Sequence, residues 1–398
     1  MPFALYLLAL AVFVMGTSEF MLAGLVPAIA DGLDVSVGSA GLLTSAFAVG
    51  MVLGAPVMAA FARRWPPRAT LVGCVVIFAV CHIVAALTPA FSVLFATRVV
   101  AAVANAGFLA VALSTATRLV APDQKGRALA VLLSGTTIAT VAGVPAGALL
   151  GTALGWRATF WAVALLCVPA AVGIAAGIRG DQRTVPDGTV RDYSLKTELA
   201  QLRAPRLLVV MLLGALVNGG TFAAFTYLAP VVTETAGLSA VWVPAALVLF
   251  GTGSFLGVVA AGRISDTYPR LLLVLAAPAL FVGWVALGVL ATRPALLLIL
   301  VFAQGILAFA VGSTLIARVL YAAYSAPTMG GSYATVALNI GAAAGPALGA
   351  AALSGTGNLA AVGVAAALTG TALLILLPTL RHITPPNGSE KTPNRESR

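Results

Sequence analysis

The sequence predicts an all-α membrane protein: twelve transmembrane helices in two six-helix bundles related by a pseudo-twofold axis. Three observations predict it. Of 398 residues, 61% are hydrophobic and 9% charged, whereas a soluble domain carries about 25% charge. Twelve apolar runs begin near residues 3, 39, 69, 91, 129, 158, 207, 240, 271, 295, 330 and 359, each long enough for the roughly 20 residues that cross a bilayer. The third observation is a repeat. Val14-x-Gly16 and Pro27 recur as Val217-x-Gly219 and Pro230, and Gly50-x-x-x-Gly54 recurs as Gly253-x-x-x-Gly257, all displaced by 203 residues; Arg68 recurs as Arg270, displaced by 202. Matched motifs at one displacement mark duplicated six-span halves, the pattern of a transporter that rocks two bundles about a midplane site.

The net charge of +10 is distributed as topology. With the N-terminus inside, 19 of 22 Lys and Arg fall in inside loops or the tail, two (Arg157 and Arg293) outside, and Arg98 within a span. That asymmetry is the positive-inside bias and places both termini in the cytoplasm. It argues against a nucleic-acid partner.

The first run, Phe3 to about Ala30, holds Glu19, the only one of twelve Asp and Glu inside a predicted span. An acid at a helix centre costs roughly 2.5–3.5 kcal/mol, so such residues usually face a cavity and do ion work. Ala28-Ile29-Ala30 resembles a signal-peptidase site, but no basic region precedes it, so the segment is expected to stay as a first helix. Residues 1–178 form the expected first bundle and 207–380 the second. Between them, 179–206 is polar and reads as a cytoplasmic linker with a short surface helix near Leu195–Leu202; the tail, 381–398, is rich in Pro, Asn and Ser and is expected to be disordered. Cys74, Cys81 and Cys167 lie in spans and imply no disulfide framework. Glycines at every fourth position mark the fifth span (Gly143, Gly147, Gly151, Gly155) and the eleventh (Gly341, Gly345, Gly349). They read as packing seams or hinges. Pro145 and Pro346 each remove a backbone donor there and are expected to bend their helices.

Several of these stretches together resemble a known family. Gly16-Thr17-Ser18-Glu19-Phe20, Ala40-Gly41-Leu42-Leu43 with Gly50 and Gly54-Ala55-Pro56, Arg98, and Gly135 with Gly143-Val144-Pro145-Ala146-Gly147 are similar to the signatures of twelve-span major facilitator superfamily drug:proton antiporters. The opening, Met1 to Pro56, looks most like the actinobacterial chloramphenicol exporters. The loop signature after the second span departs from the family, with Ala59, Arg63 and Pro66 where glycine, aspartate and glycine are usual. Its second copy keeps Gly262, Asp266 and Arg270. The resemblance implies conformational roles for Gly143, Pro145, Gly147, Asp266, Arg270, Gly345 and Pro346, and adjacency of the first and fourth helices.

With those helices adjacent, Glu19 and Arg98 are expected at similar depth, close enough to meet. Burial opposes the charge on Glu19 and Arg98 favours it, so their separation would set proton affinity. The alternative is a static buried ion pair. The second half has Phe222 where the first has Glu19. It offers Asn218, Thr221, Phe222, Phe225, Tyr227, Gln304 and Asn339 as candidate cargo contacts, with Asn105 on the Arg98 face of the fourth span. Aromatic walls with a few amides suit a neutral amphipathic ligand. For each aromatic, ordinary packing is the competing explanation. His82, in the third span, reads as structural.

Nothing indicates an enzyme or a cofactor. No GxxxxGK[ST] phosphate loop is present, and two histidines, one in the tail, build no metal site. The expected function is proton-coupled efflux of a small neutral drug by a monomer, its partners being drug, protons and lipid. Export of a sugar or nucleoside-like metabolite, or a non-transporting membrane sensor on the same fold, are the alternatives.

Overall fold

The computed structural model describes residues 2–61, 65–121, 124–178, 195–265, 268–324, 326 and 329–383. Twelve helices long and apolar enough to cross a membrane occupy them: α1 (Phe3–Gly24), α2 (Val37–Met58), α3 (Pro67–Leu87), α4 (Phe91–Arg118), α5 (Arg127–Leu154), α6 (Trp156–Gly177), α7 (Pro205–Thr226), α8 (Trp242–Ile264), α9 (Pro269–Leu290), α10 (Pro294–Ala322), α11 (Gly330–Leu353) and α12 (Ala360–Ile383). The chain is a multi-pass membrane protein. Residues 2 and 383 share one face, called here the terminal face; the α1–α2 and α7–α8 connections lie on the opposite, distal face.

Local chemistry sets the helix ends. Spans α3, α7, α9 and α10 start on Pro67, Pro205, Pro269 and Pro294, where a missing N–H costs nothing and φ is already helical. At the distal ends of α5 and α11 the chain turns at Gly155 (φ 84°) and Gly357 (φ 82°), a region that disfavours any side chain.

The two lead helices break at matching places. The α-helix of α1 ends at Phe20 and gives way to a tight turn at Met21–Gly24, then to a short helix Val26–Leu33. That of α7 ends at Thr226, followed by Leu228–Pro230 and a wide turn at Val231–Thr235. Pro27 and Pro230 explain both breaks, since a proline ring clashes with the carbonyl four residues earlier. A wide turn at Ala139–Gly143 likewise precedes Pro145 in α5. Around Pro346 the helix Gly330–Thr356 stays continuous.

Within each half the same neighbours pack: α1 on α5 and α6, α2 on α4, α3 on α6, and correspondingly α7 on α11 and α12, α8 on α10, α9 on α12. The halves meet where α2 lies against α11 and α5 against α8. Contacts across this seam run from the distal ends to mid-membrane. Gly38 sits on Ala350, Gly41 on Tyr227, Gly24 on Leu247, and Gly251 on the Thr140 carbonyl. The Ser45 hydroxyl donates to the Ala343 carbonyl at 2.7 Å.

The linker helix, Leu195–Ala200, lies at the start of α11 and is more than a surface feature. Glu198 is 1% exposed. Its carboxylate accepts from the Met329 N–H (2.8 Å), and its carbonyl accepts from the Tyr333 hydroxyl (2.8 Å). An acid at a helix N-terminus meets both orphan donors and the positive end of the dipole. Residues 179–194 and 384–398, including most of the expected tail, lie outside the described residues.

Candidate functional site

The break in α1 exposes chemistry at the end of its α-helix. Thr17, Ser18, Glu19 and Phe20 are its last residues, and successive side chains point about 100° apart. Thr17 folds back onto the Phe13 carbonyl at 2.8 Å. Ser18, with 0% exposure, points into the first bundle. Glu19 and Phe20 are half-buried.

Arg98 of α4 is 1% exposed and reaches Ser18 twice. Its Nη1 donates to the Ser18 Oγ (2.8 Å) and its Nη2 to the Ser18 carbonyl (2.9 Å). That carbonyl belongs to the last helical turn, where carbonyls lack intrahelical partners and the dipole is negative. The guanidinium carbon also lies 4.5 Å from the centroid of the Phe47 ring of α2, a contact worth about 2 kcal/mol when desolvated. The proline-induced helix end, a hydroxyl and an aromatic face together hold a cation whose bare burial costs several kcal/mol.

Arg98 and Glu19 are close in sequence depth, as expected, but do not pair directly. Among the described residues, Arg98 and Glu19 form no ion pair; the guanidinium sits on the residue before Glu19. The helical twist explains it, because Ser18 is the residue of this turn whose side chain reaches α3 and α4. Sequence depth alone cannot resolve one residue of rotation.

His82 belongs to the same cluster, which the sequence did not reveal. Its Nδ1 lies 2.7 Å from the Phe78 carbonyl and its Nε2 2.7 Å from the Ser18 Oγ. The ring packs against Phe78 (4.3 Å) and Phe160 (5.8 Å). Nothing in the spacing of residues 18, 82 and 98 announces this contact.

The structure brings some candidate cargo residues together and withdraws others. Phe20 lies 5.8 Å from Phe222 and 6.4 Å from Phe225. The series continues from Phe225 to Phe250 (4.7 Å) and from Phe250 to Phe309 (6.1 Å). It forms an aromatic path from beside Glu19 into the second bundle. Phe20, Phe250 and Phe309 were not among the cargo contacts expected from the sequence, where aromatic residues in apolar runs look alike.

The polar candidates bind the protein itself. Asn218 donates to the Leu338 carbonyl (2.8 Å), Gln304 to that of Leu280 (3.0 Å), Asn339 to that of Thr335 (2.9 Å) and Thr221 to that of Val217 (2.9 Å). Asn105 is 2% exposed and contacts the Met51 sulfur at 3.7 Å. Tyr227 has 0% exposure, and its hydroxyl donates to the Pro346 carbonyl (2.9 Å), with the Gly38 carbonyl at 3.3 Å. It closes the distal seam, so direct cargo contact by Tyr227 does not hold in this conformation.

The glycine stripes face the lead helix of their own half. Gly143 abuts Thr17, Gly147 lies near Met21 and Thr159, and Gly151 meets Leu25. In the second half Gly341 and Gly345 lie on the backbone of α7, at the Ala215 and Gly219 carbonyls. Pro145 is buried in α5, and Arg270 is half-buried at the start of α9. Asp266 lies outside the described residues. No cluster of His, Cys, Asp and Glu capable of holding a metal occurs among the described residues.

With this geometry in hand, the profile of the Major Facilitator Superfamily matches residues 8–337. The chain belongs to this superfamily. A chloramphenicol resistance protein of Streptomyces lividans is 61% identical over 96% of this chain and 98% of its own length. The inner membrane transport protein YdhP of Escherichia coli K12 is 32% identical over 95% and 96%. Among solved structures, a bacterial homologue of the lysosomal transporter Spinster, inward-facing and unoccupied, superposes with a TM-score of 0.71 at 19% identity, covering 96% of this chain and 95% of that one. The nucleoside transporter NupG superposes with a TM-score of 0.75 at 13% identity, covering 95% and 98%. These two likenesses show the fold. Family membership and the twelve spans make the chain a membrane transporter of this superfamily.

Proposed function

We propose that this superfamily member exports a small, neutral, amphipathic drug in exchange for protons, with chloramphenicol the first candidate, and that both termini are cytoplasmic. The observation that carries the proposal is the placement of Glu19. It is the only carboxylate within a described span, half-buried, one residue from the Arg98 tether and one from Phe20 of the aromatic path. A proton acceptor and an apolar surface for cargo therefore share one helix turn. The 61% identity to a chloramphenicol resistance protein supports the choice of drug. The 19-to-2 distribution of Lys and Arg supports the orientation.

Glu19 takes up a proton when it faces the outside and releases it when it faces the cytoplasm. A 100 mV potential supplies about 2.3 kcal/mol per charge. At about 1.4 kcal/mol per decade, one proton sustains a neutral-drug gradient near 50-fold. The chemistry needed is proton exchange and helix motion, with the gradient as the driving force. The test is chloramphenicol accumulation in everted vesicles with and without an uncoupler, alongside cysteine labelling at Asp187 and Thr356 from each side. Uncoupler-insensitive accumulation, or labelling of both positions from outside intact cells, would overturn the proposal.

A further inference from the structure

We propose that His82 is a positioning residue: through the Ser18 hydroxyl it holds Arg98 away from Glu19, so that Glu19 is free to take up its proton. This rests on the proton-coupled function above and adds a control element to it.

The geometry fixes the hydrogens. A carbonyl only accepts, so the 2.7 Å contact to Phe78 requires the proton on His82 Nδ1. In the neutral ring Nε2 then carries the lone pair, and the Ser18 hydroxyl, 2.7 Å away, donates to it. The Ser18 Oγ consequently presents its lone pairs to Arg98 Nη1, at 2.8 Å. Donation runs one way, from Arg98 to Ser18 to His82 to the Phe78 carbonyl.

Ser18, like Ser45 and Thr159, departs from the commoner arrangement of the intramembrane hydroxyls. Thr17, Ser134, Thr221, Ser254, Thr314 and Thr369 all fold back onto a carbonyl three or four residues earlier in their own helix, the ordinary habit of a hydroxyl in a helix. Ser18 points sideways because His82 supplies an acceptor there. Without that acceptor its hydroxyl is expected to turn back to the Val14 carbonyl, and Arg98 loses one of its two arms.

Arg98 then has an alternative. Its Nε is buried with no hydrogen-bond partner. Glu19 is the neighbour of the residue that holds it, and no other carboxylate lies within any described span. Among the buried titratable side chains of the described spans α2 to α7, which are Cys74, Cys81 and His82 on α3, Arg98 on α4 and Cys167 on α6, none is a carboxylate. A released Arg98 is therefore expected to swing to Glu19 and hold it ionised.

The test reads the protonation of Glu19 directly, by infrared titration of the carboxyl band in the purified full-length protein, with Glu19→Gln as the blank. It needs no drug and no transport. His82→Leu and Ser18→Ala should each lower the pH midpoint by about one unit, the size of one hydrogen bond to a charged group. His82→Gln, which keeps an acceptor in reach of Ser18, should restore it. In an Arg98→Ala background His82→Leu should have no effect. Unchanged midpoints in His82→Leu and Ser18→Ala, or a shift that persists without Arg98, would overturn the inference. If His82→Leu does not reach the membrane, Ser18→Ala with and without Arg98 decides it. Should the midpoints move as expected while Glu19→Gln still pumps uphill, the positioning holds and the proton-coupled function fails.

Discussion

The two bundles share a packing scheme and differ in what they put at its centre. At the displacement of 203, Ser18 corresponds to Thr221, Glu19 to Phe222 and Arg98 to Val301. In the first bundle the hydroxyl points sideways, to a buried histidine and a buried arginine. In the second the hydroxyl folds back onto Val217, beside two phenylalanines of the aromatic path. The breaks in the lead helices, the glycine seams and the turns at Gly155 and Gly357 are kept in both halves, whereas the break before Pro145 has no counterpart at Pro346. The duplicated parts make the scaffold, and the parts that diverged make the candidate site. At the ends of the lead helices one half holds charge and the other apolar surface, which is the arrangement that the proposed exchange of a proton for an apolar cargo calls for.

The glycine seams give the largest expected effect. Gly345 lies against the Gly219 carbonyl, so any side chain there must push two backbones apart, whereas Gly147 faces side chains of Met21 and Thr159 that can shift. Gly345→Ala should cost about 3 kcal/mol and Gly147→Ala about 1 kcal/mol or less, following the range for overpacking. Thermal unfolding of the two purified variants checks this. Equal losses would mean that the two seams are equivalent.

Moving the acid across the repeat tests whether position alone makes a proton site. Phe222→Glu adds a carboxylate with no arginine or histidine beside it, at a cost of roughly 3 kcal/mol. Combined with Glu19→Gln it should leave efflux lost. Recovered efflux would show that the Ser18–His82–Arg98 cluster is dispensable.

Much of the scaffold is legible in the sequence because it depends on one-dimensional signals. Apolar run length places all twelve spans to within two residues of their expected starts. The repeated Pro27 and Pro230 mark the breaks in α1 and α7. Glu19 and Arg98 stand out because charge is rare in apolar surroundings. What does not show is orientation. Asn218, Gln304 and Asn339 look like cargo contacts in sequence, yet each amide nitrogen donates to a carbonyl of the protein. His82 and Phe20 acquire their roles from helix rotation, which no linear spacing encodes. Glu198 sits in a polar linker and gives no hint that it caps α11.

That cap gives the smallest effect expected here. Its carboxylate ties the linker to the second bundle at Met329, the first residue before α11. Glu198→Gln keeps the shape and loses the charge at the helix N-terminus, worth about 1 kcal/mol. Limited proteolysis should then cleave the linker several-fold faster, with efflux reduced less than twofold. Unchanged cleavage would mean that the neutral amide caps α11 as well as the acid does.

The claim that Glu19 carries the coupling proton is tested most directly by chloramphenicol transport in proteoliposomes under an imposed proton gradient. Glu19→Gln preserves shape and hydrogen bonding while removing the change of charge, so it should still bind the drug and exchange it down a drug gradient. Uphill accumulation should vanish, and Glu19→Asp should retain part of it. If Glu19→Gln still concentrates the drug and an uncoupler still abolishes that accumulation, the proton travels by another route and the claim is wrong.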